Sequence, residues 1–203
     1  MDNNPNPNQT PYSIDYLNQI APQQKKPGMN NRLFVVIAGG GLVLAILIGV
    51  LTLFSSGSGP TQKMQTLSAR LTTLQTISDK AQKNIKSGEL RSTNSSLNIF
   101  LTNANRDIVA PLAKNGVEVK KIDKKILGLE AGTKLTEKLE DARLNAVYDR
   151  TYAREMGYRL DTVAALMKDI YTSSNSKSLK EFLVSTDTNL LPLKKQFKEF
   201  VAE

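Results

Sequence analysis

The chain has 203 residues and a net charge of +8, and it contains no cysteine, histidine or tryptophan. Lacking cysteine, it has no disulfide framework, thiolate metal site, thiol nucleophile or lipid anchor on sulfur; lacking histidine, it has neither the usual general base at neutral pH nor the commonest metal ligand. A positive excess suits anionic lipid headgroups, acidic polymers or acidic proteins, and because no recognition motif accompanies the charge, nucleic acid is not an expected partner.

Residues 1–32 read as a tail. The first eleven, MDNNPNPNQTP, are too polar to bury much apolar surface, and disorder is expected there. Tyr12, Ile14, Tyr16, Leu17 and Ile20 then concentrate apolar side chains, with Ser13 placed to cap and Pro22 to stop a short helix. The Tyr12–Pro22 motif fits a docking element for a cytoplasmic partner or a membrane surface; it equally fits local order without a role. Thirty-two residues are too few for an enzymatic output domain.

Residues 33–54, LFVVIAGGGLVLAILIGVLTLF, run for 22 positions without a charge. As a helix they reach about 33 Å, enough to cross a hydrocarbon core about 30 Å thick, so a lipid bilayer is the first partner expected. Lys25, Lys26 and Arg32 precede this stretch, whereas no charge follows it until Lys63. Basic flanks stay in the cytoplasm, which predicts a single-pass cell-membrane protein with its N-terminus inside and its C-terminal domain outside. A cleaved signal peptide is the competing reading, although its apolar region is ordinarily shorter and nearer the N-terminus. Gly41, Ala45 and Gly49 recur every four residues on one helical face, a spacing that permits close packing and a homodimer in lipid. Gly and Ala are also simply common in membrane helices.

Residues 55–59 read as a Ser/Gly linker and 60–203 as an extracytoplasmic helical bundle carrying +7 of the net charge. Pro60 suits a helix start, and Met64, Leu67, Leu71, Leu74, Ala81 and Ile85 form a 3–4 seam broken only at Ser78, with Gly88 as the expected end. A second helix is predicted from Glu89 to about Asn115, with Leu97, Phe100, Leu101, Ala104, Ile108 and Leu112 inward, Pro111 kinking the last turn and Gly116 closing it. Residues 117–132 read as a connection with one short helical turn; its Lys120, Lys121, Lys124 and Lys125 are a candidate contact for an anionic surface, or a solvated patch.

The spacing predicts one long third helix from Thr133 to Thr172, about 60 Å, with its seam running from Leu135 through Ala142, Ala146 and Ala153 to Ile170 and only Asp149 polar. Gly157 is a possible bend. Ser178 and Glu181 form a capping-box pattern for a final helix, which Pro192 is expected to divide. The fold expected is therefore all-α: a single N-terminal transmembrane helix followed by an antiparallel, coiled-coil-like four-helix bundle running up-down-up-down.

No phosphate loop, nucleophile elbow or calcium loop occurs, and no catalytic residue, cofactor or metal is expected. Ser174–Lys177 matches S-x-x-K without its companion motifs, and Asn94-Ser95-Ser96 is a glycosylation sequon. One constellation stands out. Measured from the start of the bundle, Ser78 lies about 27 Å along the first helix and Asp149 about 24 Å along the third, so both fit one polar layer. Tyr148, Arg150, Tyr152 and Arg154 flank Asp149, and Arg106 is its candidate counter-charge. Such a layer makes either a small-molecule pocket or a register-setting contact. The function expected is a non-catalytic, membrane-anchored interaction or scaffold module facing a protein or an envelope polymer; the alternative is a ligand-sensing domain signalling through the membrane helix.

Overall fold

The computed structural model describes residues 59–202, in which every regular element is helical. The predicted tail, its Tyr12–Pro22 motif, the span 33–54 with Gly41, Ala45 and Gly49, the flanking Lys25, Lys26 and Arg32, and most of the linker lie outside the described residues. Among those described, no helix is long and apolar enough to cross a membrane.

Helix α1, Pro60–Ala81, begins with proline in its first turn, where a missing N–H costs nothing. Its seam residues Met64, Leu67, Leu71, Leu74 and Ala81 are all buried, as is Ile85 beyond its end. The helix stops at Ala81, short of the expected Gly88, where Asn84 and Ile85 N–H turn back onto the Ala81 carbonyl; Ser87 Oγ then takes the Leu90 N–H at 3.3 Å, and Gly88 becomes the first residue of α2, Gly88–Asp107. Pro111 has no N–H for the Asp107 carbonyl, and the chain breaks there into α2 and the short α3, Val109–Ala113. Gly116, at φ +75°, then lets Val117 N–H reach back to the Leu112 carbonyl at 3.0 Å, a closing turn that also buries Val117.

A 3-10 turn, Val119–Lys121, leads to α4, Lys124–Glu130, capped by the Asp123 carboxylate on Lys125 N–H at 2.7 Å. Then comes the largest departure from expectation. The predicted third helix is two helices, α5 Thr133–Leu144 and α6 Tyr148–Ser173, folded back on one another. Ala146 turns left-handed at φ 57° and Val147 N–H closes onto the Ala142 carbonyl at 2.9 Å. Lys138 and Glu155, seventeen residues apart, are thereby brought to 2.5 Å. Leu144 and Val147 stand exposed at the elbow.

Helix α7, Lys177–Ala202, runs unbroken through Pro192. Pro192 and Thr188, the residue whose carbonyl it cannot bond, both lie on the exposed side of the helix, and the helix is not divided there. The predicted capping box does not form, since the helix starts at Lys177 and Ser178 is already inside it. Gly157 causes no break; it lies buried in α6 at the distance where a Cβ would just touch Phe197.

Four long helices pack in the cyclic order α1, α2, α7, α6. Lys63 bonds Asp169 at 2.9 Å, joining the start of α1 to the end of α6, while Asp149 at the start of α6 reaches Lys86 and Ser87 beyond the end of α1. Each helix is thus antiparallel to its neighbours. The segment α4–α5 climbs outside, α4 against α1 and α5 against α6, so that α6 descends and α7 rises, the reverse of the predicted senses. Arg70 clamps this crossover through two bonds to Glu130, at 2.9 and 2.6 Å. Leu67, Leu71, Leu97, Leu101, Leu160, Leu179 and Phe197 fill one continuous core; each such side chain stabilises the fold by about 1.5–3 kcal/mol.

Candidate functional site

A buried polar layer joins three helices, but Asp149 and Arg106 take no part in it. Ser78, on the buried side of α1, donates from Oγ to Asn94 Oδ1 of α2 at 2.8 Å. Tyr152 of α6 donates its hydroxyl to the same oxygen, and Asn94 Nδ2 returns a bond to the Ser78 carbonyl at 3.1 Å and another to Gln82. Ser78, Asn94 and Tyr152 are completely buried. The Tyr152 ring stacks on Tyr148 at 6.0 Å and meets the edge of Phe197 at 6.0 Å. Burial pushes the Tyr152 phenol far above its ordinary range, so it stays a neutral donor. Three helices are pinned at one height by one amide. Since each polar atom is answered by another, the layer is closed to any further ligand.

Asn94 is not among the partners that the sequence pattern suggests for Ser78. A signal exists all the same: Asn94 lies four residues after Leu90 and three before Leu97, in the same seam. As the head of the sequon it is inaccessible in the folded bundle, with its side-chain amide already bonded on both atoms.

Asp149 stands one turn before Tyr152, at the N-terminus of α6, and serves the backbone. Its Oδ1 accepts from Lys86 N–H at 3.0 Å, and its Oδ2 accepts from Ser87 N–H at 2.7 Å, which fastens the α1–α2 loop to α6. Arg106 is not its counter-charge. It is exposed near the end of α2, where its Nε donates to the neighbouring Asp107 at 2.8 Å; that bond holds the Arg106 guanidinium above and the Asp107 carboxyl below their ordinary ranges. Beside Asp149 lies a shallow cleft of about 470 Å3 that includes Lys86, Arg150 and Phe200.

Lys120, Lys121, Lys124 and Lys125 are brought together on one exposed stretch. Val117 and Ile126 anchor it from below, and Asp123 N–H donates to Gln65 Oε1 at 3.2 Å. Lys121 pairs with Glu118 at 2.9 Å, both ends remaining in solvent. Leu127 and Leu129 are 48 % and 63 % exposed beside these charges.

Between α2 and α7 runs an open groove of about 710 Å3, with Ile99 exposed, Phe100 and Phe182 half-buried, and Asp107 and Glu181 near one end. The S-x-x-K pair makes no contact: Ser174 Oγ accepts from Ser176 N–H at 3.1 Å, and Lys177 points into solvent toward Glu181. Among the described residues, no three acidic side chains gather as a metal site.

No family model, curated protein or solved structure matches this chain. The functional reading therefore rests on the residues alone.

Proposed function

We propose that this protein is a single-pass cell-membrane protein, anchored through residues 33–54, whose C-terminal antiparallel, coiled-coil-like bundle faces outward as a non-catalytic interaction or scaffold module. The observation that carries the reading is the closed polar layer. The groups best suited to chemistry or to ligand capture, the hydroxyls of Ser78 and Tyr152 and the carboxylate of Asp149, are bonded to Asn94 and to the Lys86 and Ser87 backbone. They hold helices in register and leave the surface to make the contacts. The uncharged 22-residue stretch and its basic N-terminal flank support the anchor and the orientation. The Gly41, Ala45, Gly49 stripe supports pairing of two copies within the bilayer.

The test is recovery of the intact protein from its own membrane after mild crosslinking. An envelope protein or polymer should be retained in near-stoichiometric amount and be released when the bundle is unfolded. Recovery of the protein and lipid alone would contradict the scaffold role.

A further inference from the structure

We propose that the Pro60 end of the bundle docks on the bilayer, with Lys120, Lys121, Lys124 and Lys125 meeting anionic lipid headgroups and Leu129 entering the interfacial layer. This rests on the anchor reading above and deepens it by naming what the lysine stretch contacts.

Three observations converge. The first is covalent reach. Gly59 follows Phe54, the last residue of the apolar stretch, by five residues, and at about 3.6 Å per residue the two stay within about 18 Å. The second is placement. Lys125, Ile126 and Leu129 line a cleft with Gly59, Thr61 and Gln62, and Asp123 bonds Gln65 only five residues into α1, about 8 Å from its start. The lysine stretch therefore sits at the tethered end, while the α5–α6 elbow and the Asp149 clamp sit at the other.

The third is charge left over. In this stretch the acidic groups are engaged: Glu118 with Lys121, Asp123 as the α4 cap, and Glu130 with Arg70. Among the described residues Lys120, Lys124 and Lys125 make no ion pair, and all are exposed. An anionic surface potential decays within about 10 Å, so it acts only on charge held close, which the tether ensures. Each lysine brought to such a surface favours docking by about fivefold, and an adjacent exposed leucine adds apolar contact.

The absence of cysteine provides a clean test on the full chain. Gly128→Cys, at an exposed position with nothing within 4 Å, and Lys83→Cys, beyond the end of α1, are each labelled from outside with an impermeant fluorophore. The protein is reconstituted in vesicles of phosphatidylcholine or of a two-to-one phosphatidylcholine–phosphatidylglycerol mixture, with a headgroup quencher. The label at 128 should be quenched several-fold more in the phosphatidylglycerol mixture, an effect lost in molar salt, and the label at 83 should be quenched in neither. Replacing all four lysines with Gln should abolish the lipid dependence and lower the docked-to-free ratio by at least about tenfold, with helicity unchanged by circular dichroism. Equal quenching at 128 in both lipids would overturn lipid docking and leave the lysines to an acidic protein or polymer. Equal quenching at 83 and 128 would overturn the assigned end. Failure to stay with vesicles through an alkaline wash would overturn the anchor itself; staying without lipid-dependent quenching would overturn the docking alone.

Discussion

Asn94→Ala is the most informative perturbation of the bundle. It removes the acceptor shared by the Ser78 and Tyr152 hydroxyls, all three side chains having no solvent exposure. The Ser78 carbonyl still receives the Gln82 N–H at 3.2 Å, and the Gln82 side chain that loses its Asn94 bond is only half-buried, so the largest loss falls on the two hydroxyls. Each stranded buried hydroxyl costs about 1–3 kcal/mol, and with the cavity the expected destabilisation is about 3–5 kcal/mol. Tyr152→Phe alone deletes one hydrogen bond while Ser78 keeps Asn94 satisfied, a loss of about 1 kcal/mol. In the double variant the ring at position 152 has no hydroxyl to strand, so that variant should be more stable than Asn94→Ala by about 1 kcal/mol, a coupling of about 2 kcal/mol. Urea unfolding of residues 59–203 followed by circular dichroism measures all four members of the cycle. Additivity of the two single variants within about 0.5 kcal/mol would refute the shared layer.

The crossover offers a second test: Glu130→Gln leaves the buried Arg70 guanidinium short of its carboxylate and should cost about 2–3 kcal/mol, with faster amide exchange concentrated over residues 117–132. At the elbow, Ala146→Gly relieves a left-handed alanine and should stabilise by about 1 kcal/mol, whereas between α4 and α5 Gly132→Ala, at φ +70° with a new Cβ 2.9 Å from Ile77 and Thr73, should destabilise by about 1–2 kcal/mol; thermal melts decide both signs. Burial alone would raise the Asp161 pKa, but hydrogen bonds and charge from Lys198 and Lys194, each 2.9 Å away, hold it below the ordinary value. Its contribution is therefore present above about pH 4 and lost as pH falls through the folded value; Asp161→Asn should lower stability by about 1 kcal/mol at pH 6 and by progressively less toward pH 2, as melts across that range would record.

Helix faces are legible in the sequence because burial imposes a period on the chain: Leu67, Leu71 and Leu74, Leu97 and Leu101, and Leu179, Leu183, Leu190 and Phe197 fall at seam positions and are buried. Direction is not. The 4–3 spacing passes through residues 142–153 in phase, and the reversal depends on a left-handed Ala146 rather than a glycine, so nothing in the pattern marks the turn. Without that elbow, α6 and α7 come out inverted and Asp149 is given the wrong partner. The polar layer is half legible. Spacing sets Ser78 level with Asp149 and leaves Tyr152 as a flanking residue, whereas Tyr152 is the member that meets Ser78 through Asn94; the sequon in which Asn94 stands suggests a surface position, although its spacing from Leu90 and Leu97 puts it inside. Pro192 misleads for a different reason: it lies on the exposed face of α7, where the helix passes through it, whereas the buried Pro111 stands at a break.

Site-directed labelling on intact cells tests the topology most directly, because any cysteine introduced into this chain is unique. With a membrane-impermeant maleimide, Lys83→Cys should react at once on whole cells, and Asn6→Cys should react only after permeabilisation. Reaction at residue 6 on sealed cells, with residue 83 protected, would contradict an outward-facing bundle.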